Sequence, residues 1–169
     1  MLADEMYVQP IHGKGVRVIW LKGETDMLGA LEEVESFAEF AKRNNAVAST
    51  DVKSFEHLVC TEQLSRRLGF KVGEELIRVV RVRSLNGSAR QVDHGYFLES
   101  IAKGLTPEVA EKSIYDYLEH KRGVKVMASR RTVSVELAND EDCSYLDLGK
   151  YNCVAVMESQ SYTSDGILF

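Results

Sequence analysis

Residues 75–98 read ELIRVVRVRSLNGSARQVDHGYFL. Two β-prone runs, Glu75–Leu85 and Arg90–Leu98, flank Asn86-Gly87, a dipeptide suited to the left-handed conformations of a tight hairpin turn. The two runs therefore pair antiparallel. Side chains alternate faces along a strand, so Ile77, Val79, Arg81, Arg83 and Leu85 share one face. Two arginines thus sit on a face that otherwise reads as core. A buried guanidinium needs an anion to offset its desolvation. That anion is either internal, in salt bridges supplied by the fold, or a bound phosphate or carboxylate, whose geometry the guanidinium fork matches. Arginines solvated at a frayed strand end are a third reading. The position of Asp93 depends on the turn. A two-residue loop directs it away from Arg81 and Arg83, whereas a three-residue loop with Gly87 in a bulge brings it onto their face.

Outside this hairpin, strands and helices alternate. Towards the N-terminus, Tyr7–Gln9 and Val16–Trp20 flank His12-Gly13-Lys14-Gly15 as a small hairpin over 7–20. Leu28, Leu31, Val34, Phe37 and Ala41 recur at helical spacing, predicting a helix over 30–44. Ala46–Val59 reads as a long strand, and Thr61 caps a short helix that Gly69 stops. Thr106-Pro107-Glu108 is a helix start, and Ser113 caps a second helix that ends at Gly123. Val124–Leu137 is strand, Asn139 with Asp142 resembles a capping box, and Tyr151–Thr163 is strand. Ile167-Leu168-Phe169 reads as the start of a further strand. Strands joined by tight turns give an α+β protein with a mostly antiparallel sheet and flanking helices.

The 169 residues, 44% hydrophobic and 28% charged, suffice for one domain with a real core and a small appendage. Twelve glycines and two prolines argue against low complexity. The net charge of −5 removes the global basic field that a free-standing nucleic-acid binder carries, so DNA contact is local or lies in a longer protein. Cys60, Cys143 and Cys153 form no paired motif, and the four histidines show no metal spacing, so no metal or cofactor is expected. No Gly-x-Ser-x-Gly elbow or phosphate-binding P-loop appears, and no catalytic residue is assigned. Without an apolar run of ~20 residues or a signal peptide, the expected location is the cytoplasm, with no membrane partner.

Further candidates surround the arginine pair. Ser113, at a helix start, offers a hydroxyl, free N–H groups and the positive end of the helix dipole to an anion, although most capping serines are only caps. Ser36-Phe37 has a looser claim of the same kind. Arg131 shares a strand face with Met127, Val133, Val135 and Leu137.

These residues carry a family resemblance. YVQPIHGKGVRVI (7–19) resembles the wing of GntR-type winged helix-turn-helix regulators. LGFKVGEELIRVVRVRSLNG (68–87), YFLESIAKGLTPEVAEKSIYDYLEHKRGV (96–124) and DEDCSYLDLGKYNCVAVMES (140–159) resemble the UTRA effector-binding domain of their HutC subfamily, and within it SIYDYLEHKRG (113–123) and the Asp93-bearing strand most resemble the trehalose operon repressors. The resemblance implies a chorismate-lyase-like fold, usually dimeric. It implies a wing remnant at 1–20, with Lys14 at the DNA, and a UTRA domain at 21–169 lacking its last strand. Such a chain is a fragment of a longer regulator that meets operator DNA only at full length. The resemblance also implies that Arg81, Arg83 and Ser113 bind the anionic group of an effector, such as trehalose 6-phosphate, while Asp93 contacts the ligand body. Asp93 must then share the arginines' face, which predicts an odd-numbered loop at Asn86-Gly87. An enzyme of the chorismate-lyase type on the same fold is the alternative.

Overall fold

The computed structural model describes residues 8–18 and 37–169, and the chain divides into two units, 1–33 and 34–169. In the first, β1 (Val8–Ile11) pairs antiparallel with β2 (Gly15–Val18). In the second, the order is α1 (Phe37–Arg43), β3 (Ala48–Val59), α2 (Glu62–Leu68), β4 (Glu75–Leu85), β5 (Ser88–Leu98), α3 (Pro107–Ala110), α4 (Ile114–Arg122), β6 (Val126–Leu137), α5 (Asp140–Tyr145) and β7 (Cys153–Thr163). One sheet runs β3-β4-β5 and another β6-β7, and every pairing between these strands is antiparallel. The class is α+β, as the sequence predicts. The first part of the expected helix over 30–44, and with it Ser36, lies outside the described residues. Ile167–Phe169 is not a regular strand but begins to pair antiparallel with β7: Leu168 bridges Tyr162, Thr163 N–H donates to the Ile167 carbonyl at 2.9 Å and Phe169 N–H to the Ser161 carbonyl at 3.0 Å.

Local chemistry accounts for the helix ends. Thr61, Thr106 and Ser113 each accept a backbone N–H three residues on, while Gly69 and Gly123 close α2 and α4 in the left-handed conformation. Asn139 and Asp142 complete a reciprocal capping box on α5.

As the central strand of its sheet, β4 is buried on both faces. Ile77 and Val79 on one face join Ala110, Ile114 and Leu118 in the core, and Arg81 on that face reaches the Ala110 carbonyl at the end of α3. On the other face Val80 and Val82 are also buried.

The β4–β5 turn corrects one expectation. Asn86 (φ 52°) and Gly87 (φ 81°) form a two-residue loop between the paired Leu85 and Ser88, not an odd-numbered one. Asp93 nevertheless lies opposite Arg81. The ladder shifts between Ser84↔Ala89 and Arg83↔Gln91, leaving Arg90 as the extra residue of a bulge. A bulge within the strand changes the side-chain faces as an extra loop residue would. The tip is tied to the residue before β3: Val47 N–H donates to Asn86 Oδ1 at 2.8 Å, and Asn86 N–H to the Val47 carbonyl at 2.8 Å.

Candidate functional site

The two arginines run along the core face of β4 next to Ile77 and Val79. Arg81 is 6% exposed. Its Nη2 donates to Asp93 Oδ2 at 2.9 Å, and its Nη1 to the Ala110 carbonyl, left open at the end of α3, at 3.1 Å. Arg83 Nε lies 2.6 Å from the same Asp93 oxygen. Its N–H is not aligned for a hydrogen bond, so Arg83 Nε, like Arg81 Nε, is a buried donor without an acceptor among the described residues. Gln91 donates to the other Asp93 oxygen. Phe37 stacks against the Arg83 guanidinium, its ring centre 5.0 Å from Cζ.

One carboxylate thus serves two guanidiniums. Burial first, and then the neighbouring Arg83 charge, lower the Arg81 pKa to about 10, against the opposite pull of Asp93. Arg81 keeps its charge at neutral pH, and the cluster is short of negative charge.

A cavity of about 240 Å³ opens beside Arg83. Phe37 and Ala38 of α1, Ala48, Ser49 and Thr50 of β3, and Glu111, Lys112 and Ser113 between α3 and α4 complete its wall. With Arg81 and Asp93 behind Arg83, three cations and two carboxylates surround or back this space. Ser113 Oγ accepts the Asp116 N–H at 3.2 Å, and so the start of α4 lies at the cavity. A concave site with excess positive charge, an arginine in its wall and a helix start can hold an anion.

Of the residues singled out from sequence, Arg83, Ser113 and Phe37 line this cavity, while Arg81 and Asp93 stand behind its wall. Arg131 does not line it. It lies on β6 opposite Ser159 of β7, in a face with Val133, Val135 and Leu137, whereas Met127 falls in a bulge of that strand. Lys14 is exposed in the β1–β2 turn. Ser49, Thr50, Glu111 and Lys112 are cavity residues that the sequence does not single out. Thr50 pairs with Arg83 across β3–β4, so strand register could have found it. Glu111 and Lys112 immediately precede Ser113, and nothing in their own pattern marks them.

Comparisons with known proteins match this fold. The family model described as "UTRA domain" matches residues 43–169. The chain is 29% identical, over its whole length and 70% of the relative's, to the HTH-type transcriptional regulator TreR of Bacillus subtilis. The solved effector-binding domain of the B. subtilis trehalose repressor aligns with 72% of the chain and 84% of its own, at 28% identity and a TM-score of 0.65. PhnF of Mycobacterium smegmatis aligns with 99% of the chain and 72% of its own, at 19% identity and a TM-score of 0.71, a likeness of fold.

Proposed function

The chain belongs to the UTRA-domain family and is the effector-binding part of a GntR-type transcriptional regulator, and we propose that its effector is a phosphorylated small sugar held in the cavity beside Arg83. The observation that carries this reading is the uneven charge of the buried cluster. Two guanidiniums share the single carboxylate of Asp93, and Arg83 and Ser113 face one cavity. A phosphate dianion supplies the missing charge and several acceptors, and Arg83 is suited to receive it. The Thr50 hydroxyl, on the Arg83 face of the sheet, and the Glu111 carboxylate offer hydrogen bonds to the sugar. Trehalose 6-phosphate is the first candidate, because a solved neighbour is a trehalose repressor by name. The relatives are regulators, which does not favour the lyase alternative.

Calorimetry against a panel of sugar phosphates and their unphosphorylated parents tests this. Trehalose 6-phosphate should bind, and trehalose should bind about a hundredfold more weakly, a charge-pair difference of roughly 3 kcal/mol. Equal binding of both, or binding of no phosphorylated sugar, overturns the reading.

The effector would act by favouring one arrangement of a regulator dimer over another. A second copy of this chain is the partner that suits the β6–β7 ribbon. One face of it holds Val133, Val135, Leu137 and Met157, which are 55%, 73%, 78% and 47% exposed in the single chain. Sedimentation should give a dimer, and Val135→Asp should shift it to monomer; a monomeric parent chain sinks this part. In this scheme residues 1–20 are the wing of a DNA-binding domain and 21–169 the effector domain. Lys14 at the hairpin tip then contacts operator phosphate when the full-length regulator binds. Among the described residues no helix is long and apolar enough to cross a membrane.

A further inference from the structure

The anion site depends on a register that β5 does not secure by itself. Its face towards the arginines carries Gln91, Asp93, Gly95 and Phe97, and the opposite face Val92, His94, Tyr96 and Leu98. Both faces mix polar and apolar residues. A strand of this kind specifies its pairing weakly, and a slip of one residue exchanges the faces. Without the bulge at Arg90, counting from the Leu85↔Ser88 pair would place Val92 opposite Arg81 and turn Asp93 to the other face. The two guanidiniums would then lie side by side without their counter-ion.

A contact from beyond α5 holds the strand at the point where the shift occurs. After α5 the chain turns and places Asp147 against the bulge. Asp147 Oδ2 accepts from Ser88 Oγ at 2.9 Å and from the Ala89 N–H at 2.9 Å, and Asp147 N–H donates to the Ala89 carbonyl at 3.1 Å. Ala89 is the last residue paired in the turn register, and Gln91 is the first in the shifted one. Asp147 therefore engages both backbone polar groups of the residue beside the bulge, as a neighbouring strand would. The clamp is itself well seated. α5 carries the capping box, its end is closed by Leu146 N–H on the Asp142 carbonyl at 2.8 Å, and Glu141 lies 3.6 Å from His94 further along β5. The Ser88 hydroxyl, followed by the Ala89 amide, holds the Asp147 carboxyl below the usual carboxylate range, so the charged acceptor persists at neutral pH.

We infer that Asp147 is a positioning residue for the anion site: it fixes the Arg90 bulge and thereby keeps Asp93 on the face of Arg81 and Arg83. For its functional meaning the inference rests on the anion-site reading; for its structural content it does not. It gives a residue 58 positions along the chain from Ala89 control over the arginine pair without contact to either guanidinium.

The test uses Asp147→Ala, Asp147→Asn and deletion of Arg90, the last alone and combined with Asp147→Ala, in the full 169-residue chain. Deleting Arg90 removes the extra residue while leaving Arg83↔Gln91 and Arg81↔Asp93 as partners, so the register no longer needs a clamp. Cross-strand backbone NOEs read the register directly. In the parent chain they should pair Arg81 with Asp93 and Val82 with Val92. Asp147→Ala should lose these pairs, Asp147→Asn should keep them through its carbonyl oxygen, and the Arg90 deletion should restore them in the Asp147→Ala chain. With inorganic phosphate as probe, the shift of the Arg83 Nε–H signal should follow the same order: present, lost, kept, restored. Native pairing in Asp147→Ala, or no restoration by the deletion, overturns the inference. Should Asp147→Ala not fold, the combined variant still decides, because a merely structural Asp147 leaves it unfolded too. Absence of any phosphate shift in the parent chain would count against the anion-site reading, while the NOE pattern would still decide the role of Asp147.

Discussion

An Asp93→Asn chain is expected to melt well below the parent and to regain more of that loss on adding phosphate than the parent gains. Asparagine keeps the shape of the side chain and a carbonyl acceptor but removes the negative charge. Asp93 Oδ2 sits 2.9 Å from Arg81 Nη2 and 2.6 Å from Arg83 Nε, and the side chains of Arg81, Arg83 and Asp93 are 8%, 14% and 16% exposed. Breaking a buried pair by neutralising one partner costs roughly 3–5 kcal/mol, since the other charge stays desolvated. Here two like charges stay. For a chain of this length that cost lowers the midpoint by on the order of 10 °C. A ligand that binds only the folded state stabilises it by mass action, and the extra positive charge at the site strengthens that binding. The family resemblance implies another result. A carboxylate acting only on the ligand body would leave the melting point of the free protein unchanged and weaken phosphorylated and parent sugars alike. Thermal melts with and without phosphate separate the two. An Asp93→Asn chain that melts like its parent would remove the counter-ion role.

The site is foreshadowed in the sequence wherever its cause is local. The Arg81–Arg83 face follows from strand alternation, and the helix starts at Thr61, Thr106, Ser113 and Asn139 follow from the hydrogen-bonding capacity of their side chains. The register of β5 does not follow, because its cause is distant. Asn86-Gly87 leaves a loop of two or three residues open and the resemblance points to an odd number; the structure has two, and Asp93 reaches the arginine face through a bulge braced by Asp147. A pattern read along one strand holds no trace of that brace. The division of labour within the arginine pair is equally hidden. Arg81 and Arg83 look equivalent in RVVRVRSL, and only the packing of α3 makes one a structural donor to Ala110 and leaves the other at the cavity.

That division gives the two arginines different expected phenotypes. Arg83→Ala should weaken a phosphorylated ligand by roughly 2–5 kcal/mol, since the bound anion loses a charged partner in a partly desolvated site. The unphosphorylated parent sugar never used the guanidinium and should change little. Stability should fall only modestly. Asp93 keeps Arg81 as its partner, Arg83 Nε is not aligned to donate to it, and the two like charges no longer oppose each other. The lost contact with Phe37 acts the other way, at about 0.5–1 kcal/mol. Arg81→Ala should do the reverse. It opens the Ala110 carbonyl and strips Asp93 of its aligned charged donor, so its melting point should fall further than that of Arg83→Ala. Paired measurements decide the matter: melts of both variants without ligand, and calorimetry of both with the phosphorylated and parent sugars. An Arg83→Ala chain that melts far below the parent, yet binds the phosphorylated sugar unchanged once folded, would make Arg83 an internal ion-pair partner and place the effector elsewhere.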